Sequence, residues 1–397
     1  MVWILLTGVA VVAGPIRAQA RAVTPARAPA APDPLDVALD DIYDLKFDAA
    51  REITRAWLRE HPADLRALSY LANVTLDQEL LKRGLFATEP YASDGEAFRK
   101  GRVPLSPGFD REFLGILQKT QKLAEDRLKQ NPNDQEALYW AGTAHGTRSE
   151  FHFALERSYL VAIREGAEAR RYNLKLHKLN PHCVDALFVL GIADYIGGSL
   201  PWYLKLPASI AGVRGSRTRG LDELRRVGDE GHWARVDAKI VLVTIYRREK
   251  MYPQALSLLQ ELARAYPRNF LAPVEMAALY ELQNDWQSAT KVHDALVQRL
   301  GAHEPGWEMM PAARIFYRAG RAHERLGQLD EALELYETAS RVPRPSRDTY
   351  RAGLAAAELD RRLNRREEAL RNYQRVARAV PNTDEGRAAL RALQSFR

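Results

Sequence analysis

The chain reads as an all-α solenoid of helical hairpins, and three observations carry that reading. One pattern recurs at a fixed step: Tyr246 and Tyr280, Ala255 and Ala289, and Leu262 and Leu296 each stand 34 residues apart, a period that marks an array of two-helix units. Within YPQALSLLQELARAYPRN, Ala255, Leu259 and Leu262 share one helix face by their spacing. Pro267 then ends the helix, because proline has no N–H to donate and clashes with a continuing turn. Finally, the 397 residues are 46% hydrophobic and 27% charged, with Ala, Leu, Arg and Glu dominant, which suits helices with one buried and one solvated face.

A small alanine early in the second helix, a large aromatic late in the first and a closing proline resemble the tetratricopeptide repeat family. The resemblance implies a right-handed superhelical solenoid of about seven to eight hairpins. It also implies an inner, concave wall lined by first-helix residues. Arrays of this kind are binding scaffolds for many ligands, so the resemblance names no ligand.

From the start of the chain, MVWILLTGVAVVAG is an apolar run of signal-peptide length, followed by Pro15, Arg17 and the A-x-A site Ala18-Gln19-Ala20. It is shorter than the roughly 20 apolar residues a spanning helix needs. Residues 1–20 therefore read as a cleaved export signal, with an uncleaved anchor as the alternative. No Lys or Arg precedes the run, and no cysteine follows it to take a lipid. Residues 21–34, rich in Ala and Pro, form a linker that buries no core.

Residues 35–232 read as repeats with insertions. In the first, Ala50, Trp57 and Pro62 keep the mutual spacing of Ala255, Leu262 and Pro267. A helix from Leu65 to Leu81 opens the second, but its partner starts only near Asp110, and the 84–109 loop far exceeds the usual connection of about 2 to 8 residues. Its Phe86, Tyr91 and Phe98 either dock on the scaffold, the favoured reading, or meet a ligand. NPNDQEALYWAG at 131–142 aligns with NPHCVDALFVLG at 180–191 at an offset of 49, one repeat of ordinary length carrying an extra helical stretch, FHFALERSYLVAIREG, between or within its helices, with Gly142 and Gly191 placed where helices approach closely. In the 193–231 stretch Gly197-Gly198 is expected to break a helix. The apolar segment at Trp202 then either fills a gap between repeats, the favoured reading, or lies on a membrane surface. This arrangement looks like a subgroup of exported bacterial repeat proteins of unassigned activity.

Residues 233–397 read as more regular repeats with a terminal capping helix. Gly320, Leu329, Ala332, Tyr336 and Ala339 match the repeat consensus best; Ala369, Tyr373, Val376 and Pro381 place the last copy in phase.

Signs of catalysis are few. The sequence has no Gly-rich phosphate loop, and Ser199 lacks the following glycine of a nucleophile elbow. His323-Glu324 lacks a second histidine four residues after the first, and His145, His152, His177 and His182 show no ligand spacing. Cys183, the only cysteine, reads as a small apolar residue beside a helix start. No cofactor or metal is expected. The net charge of +7 and pI near 9.4 raise an acidic partner. Arg361-Arg362 and Arg365-Arg366 nevertheless interleave with Glu358, Glu367 and Glu368 as a solvated face, and export makes nucleic acid an unsuitable target.

The resulting expectation is a non-enzymatic protein- or peptide-binding scaffold of the cell envelope. Counting from Tyr246 and Tyr280 puts Asp237, Thr244, Arg247, Arg248 and Glu281 on the concave wall, and the later copies add Tyr317, Arg321, Glu324, Arg351 and Glu358. Their mixed charge points to a polar or acidic peptide. Two rivals are an enzyme built from the loops at 84–109 and 196–217, and an envelope component that contacts lipid.

Overall fold

The computed structural model describes residues 32–85, 103–199 and 215–396. The export signal, most of the linker, Phe86, Tyr91, Phe98 and the Trp202 segment lie outside them. The described residues are all-α and divide into two compact units, one ending at Tyr266 and one beginning at Pro267; the sequence division at 232–233 marks where the insertions stop.

Among the described residues unit 1 contains five hairpins: α1 (Pro34–Tyr43) with α2 (Phe47–Glu60), α3 (Leu65–Lys82) with α4 (Phe109–Gln130), α5 (Gln135–Phe151) with α6 (Tyr159–Leu179), α7 (Leu187–Ser199) with α8 (Arg217–Glu230), and α9 (Arg235–Arg248) with α10 (Tyr252–Ala265). Unit 2 contains three, α11 (Leu271–Leu282) with α12 (Trp286–Gly301), α13 (Ala312–Arg325) with α14 (Leu329–Ser340) and α15 (Arg347–Arg362) with α16 (Arg366–Ala379), and ends in α17 (Asp384–Ser395). The eight hairpins agree with the repeat reading. α17 caps the last one by laying Ala389, Leu393 and Phe396 on Tyr373 and Val376.

Five hairpins turn by one device. Leu45, Lys250, Asn284, Gly327 and Asn364, each two residues before a second helix, have positive φ of 58° to 78°. The next residue donates its N–H to a carbonyl five back, as in Met251 to Tyr246 at 2.7 Å and Asp285 to Tyr280 at 2.9 Å. This is the Schellman closure, which satisfies carbonyls a helix end would leave bare. Gly84 repeats it, with Leu85 N–H on the Leu80 carbonyl at 3.0 Å, so the long insertion begins just after an intact repeat turn. The chain returns with the Val103 N–H on the Leu155 carbonyl at 2.9 Å and the Ser106 N–H and Oγ on the Glu79 carboxylate at 2.8 and 2.7 Å.

The seams use the residues the period singled out: Ala50, Ala255, Ala289, Ala332 and Ala369 are fully buried. At Gly142 an added Cβ would fall 2.3 Å from Asn173 Nδ2, and at Gly220 one would fall 2.5 Å from the Gly191 carbonyl, so both expected close approaches are present. One reading needs correction. Gly197-Gly198 does not break a helix: α7 runs through to Ser199, and the missing side chain at Gly198 admits the backbone of Ser216 and Arg217. The extra stretch of the enlarged repeat is helical and lies within its helices: α5 ends in a five-residue π turn, His152–Glu156, and α6 is long at 21 residues.

Cys183 occupies the position where Asp64 and Asp134 cap α3 and α5 through hydrogen bonds from Ala67 N–H and Ala137 N–H, both at 3.0 Å. A thiol is a poor cap, and here the helix is preceded by a 3₁₀ turn, Val184–Ala186. Asp185 in that turn accepts the N–H groups of His232 (3.0 Å) and Ala234 (2.8 Å), pinning the entry to α9.

Candidate functional site: the first-helix faces

In unit 1, α3 and α5 lie side by side, with Tyr70, Asn73 and Asp77 on one face of α3 and Trp140, Thr147 and Glu150 on one face of α5. Tyr70 meets Trp140 edge-on at 5.7 Å, and Asn73 Oδ1 accepts the Thr147 hydroxyl at 2.9 Å. Beyond them stand Asp77 on α3 and Glu150 on α5, 2% and 1% exposed. Trp233, just before α9, extends the aromatic wall against Trp140 and Tyr139 at 5.2 and 4.8 Å. Asp237, one turn into α9, takes a hydrogen bond from Tyr43 of α1.

The electrostatics of this wall are acidic. Burial, reinforced by the charges of Glu150 and Asp237, pushes the Asp77 carboxyl up to about 8. Burial also raises Glu150 and brings Asp237 up to about 6, with Asp185 adding to it. Asp237 is only partly buried as a residue, but its Oδ1 is sealed from solvent. Asp77 Oδ1, Asp237 Oδ1 and the Tyr70 hydroxyl have no hydrogen-bond partner among the described residues. Arg66, a cation close to Tyr70, is committed to Asp33 and Asp36.

In unit 2 the corresponding faces carry ion pairs between successive first helices. Arg318 of α13 holds Glu281 of α11 at 2.9 Å, Arg314 holds Asp348 of α15 at 3.1 Å, and Arg347 and Arg351 share Glu385 of α17. Glu281 is buried and would be raised by that burial, but hydrogen bonds from His293 and Arg318 bring it down to about 2.

Of the residues expected on the inner wall, Asp237 joins the acidic wall of unit 1. Thr244 turns its hydroxyl back to the Ile240 carbonyl at 3.3 Å, and Arg247 and Arg248 are partly buried and engaged. Glu281 is closed into its network, and Arg351 is held by Glu385 and Asp348. Glu324 accepts the Tyr336 hydroxyl at 2.7 Å and pairs with Arg362. Glu358 is exposed, and partial desolvation of its carboxyl raises it, with Arg361, Glu324 and Arg362 nearby. Tyr317 packs on Tyr336 at 5.8 Å. Beside it, Arg321 makes no ion pair among the described residues and stays partly exposed. His323 bonds Asp294 at 2.9 Å, with its own side chain largely buried.

Counting from Tyr246 missed Tyr70, Asp77, Trp140 and Glu150, although the seven-residue step from Tyr70 to Asp77 within a first helix was a usable signal. Among the described residues no three of His, Cys, Asp and Glu converge as a metal-binding group, and no helix is long and apolar enough to cross a membrane.

Residues 316–348, α13 through the start of α15, match the model of the tetratricopeptide repeat family. No curated protein sequence matches the chain. Among solved structures it is similar to yeast Tom70, at 14% identity and a TM-score of 0.35 over 91% of this chain and 88% of that one. It is also similar to a tetratricopeptide repeat protein from Parabacteroides merdae, at 13% identity and a TM-score of 0.30 over 80% and 95%, and to human IFIT1, at 12% and 0.38 over 91% and 84%. Overlaps this loose say nothing about ligand or partner.

Proposed function

We propose that this chain, a helical-hairpin solenoid whose residues 316–348 match the tetratricopeptide repeat model, is a non-enzymatic scaffold that binds an extended peptide or protein segment along its first-helix faces. One observation carries the reading. The first helices present aromatic and charged groups whose bonding capacity is unfilled: Tyr70, Asp77 and Asp237 in unit 1, and Arg321 beside Tyr317 in unit 2. At Arg321 the complementary group is an acidic or polar side chain of the partner.

The place of action we propose is the bacterial cell envelope, after export. Support comes from the apolar N-terminal run and the Ala18-Gln19-Ala20 site. Mature protein recovered from the envelope should begin at Arg21, and an intact Met1 on membrane-bound protein would replace export and release by anchoring.

The scaffold reading is tested by capture from envelope extracts with three baits. Reversing Arg321 to glutamate should weaken capture of the wild-type partner, and the loss should mirror the effect of raised salt, since partly exposed charge pairs are screened over a Debye length of about 8 Å at physiological ionic strength. Reversing Arg365 and Arg366 should leave capture intact. The opposite pattern would move the binding surface off the first helices.

A further inference from the structure

Resting on the scaffold reading, we infer that the first-helix face of unit 1 receives a cationic group, the ammonium or guanidinium of a lysine or arginine carried by an extended partner peptide. The acceptors come from separate helices. Asp77 Oδ1 on α3 and Asp237 Oδ1 on α9 are shielded from solvent and receive no hydrogen bond, and neither carboxylate pairs with a Lys, Arg or His among the described residues. The Tyr70 hydroxyl, 2% exposed, is an independent sign: it is a neutral group, equally without a partner, and it lies within electrostatic reach of Asp237, Asp185 and Asp36. Leaving such atoms unmade costs about 1 to 3 kcal/mol each, so the face gains from a ligand rich in donors.

Charge and shape select that ligand. An anion would meet Asp77, Glu150 and Asp237 together. Inorganic cations want a tight convergent shell, which these carboxylates do not form. An ammonium brings three donors and a guanidinium five, and both are attracted to aromatic faces such as those of Tyr70, Trp140 and Trp233. Burial and the neighbouring carboxylates keep a proton on Asp77 at neutral pH; the incoming cation supplies positive charge in its place. The Asn73–Thr147 bond between the two ends of the wall leaves a polar rung over which a peptide backbone can lie.

The test is isothermal titration of the full chain with penta-arginine, penta-lysine, penta-glutamate and a neutral Gly-Ser peptide of equal length. The basic peptides should bind at a single saturable site. The isosteric pair Asp77→Asn with Asp237→Asn should weaken them by about tenfold or more, as loss of desolvated charge partners does. Tyr70→Phe should weaken them less, and all variants should keep wild-type far-UV circular dichroism. Basic peptides that bind no better than the neutral one, or equally well to the double variant, overturn the inference. If penta-glutamate alone binds and is lost with Arg321→Glu, the scaffold stands and this inference falls; if no peptide of any charge binds, both fall. Tighter binding of basic peptides after Arg21 and Arg27 are changed to glutamine would make the chain's own N-terminal segment the occupant and overturn the assignment to a partner.

Discussion

Replacing Asp77 by asparagine should make the protein more stable, and increasingly so as pH rises. Asp77 is 2% exposed, and burial moves its folded-state value from 3.8 to about 8. A group raised on folding stabilises fully below its unfolded value and loses that stabilisation as pH climbs through the folded one. Between pH 4 and 8 the unfolded chain has released this proton and the folded chain has not, so stability falls by about 1.4 kcal/mol per pH unit. Asparagine keeps the shape and never ionises. The gain from Asp77→Asn should therefore be small at pH 5 and larger by about 3 to 4 kcal/mol at pH 8, less whatever local relaxation recovers. Urea unfolding of wild type and variant at the two pH values, followed by circular dichroism, measures the difference of differences. A gap that does not change with pH, or one that shrinks on going alkaline, would show that Asp77 is hydrated or already holds a positive partner.

Three further outcomes follow from the packing. Ala255→Trp and Ala289→Trp place an indole where the residue is fully buried and should each cost about 1 to 3 kcal/mol, read as a lower thermal midpoint. Lys250→Gly should raise the unfolding free energy by roughly 0.5 to 1 kcal/mol, read as a higher urea midpoint, because Lys250 sits at φ 58°, a conformation that glycine adopts without steric cost; an unchanged midpoint would mean the turn is not strained. Glu281 is the opposite titration case: its value is depressed to about 2, so its stabilisation is present above the ordinary carboxylate value near 4.5 and is lost as pH falls toward 2. Glu281→Gln should accordingly flatten the acid limb of the stability profile while lowering stability at pH 7.

What the sequence disclosed follows from which forces are local. Helix periodicity, the closing prolines at 62, 267 and 381, the seam alanines and the close-approach Gly142 and Gly191 are written in neighbouring residues, and they are where the pattern puts them. The turns were only half legible: Asn284, Gly327 and Asn364 announce positive φ by residue type, but Leu45 and Lys250 adopt it because the Schellman bonds and the docking helices over-determine the turn. The π turn after Phe151 and the passage of α7 through Gly197-Gly198 depend on contacts with distant segments, which no local pattern encodes. The site was less legible still. Arg351 and Glu281 read as ligand-facing from their register, yet Glu281 lies opposite Arg318 on the next first helix and Arg351 opposite Glu385 on the capping α17, pairings that need the inter-repeat register. Asp77 and Glu150 read as ordinary helix carboxylates until burial gives them their character.

The most direct measurement is hydrogen–deuterium exchange of the full chain, free and saturated with the partner that capture yields. Binding along the first-helix faces predicts added protection in α3, α5 and α9 or in α13 and α15, with α10, α14 and α16 unchanged. Protection confined to the second helices, with the first helices exchanging as in the free protein, would contradict the account.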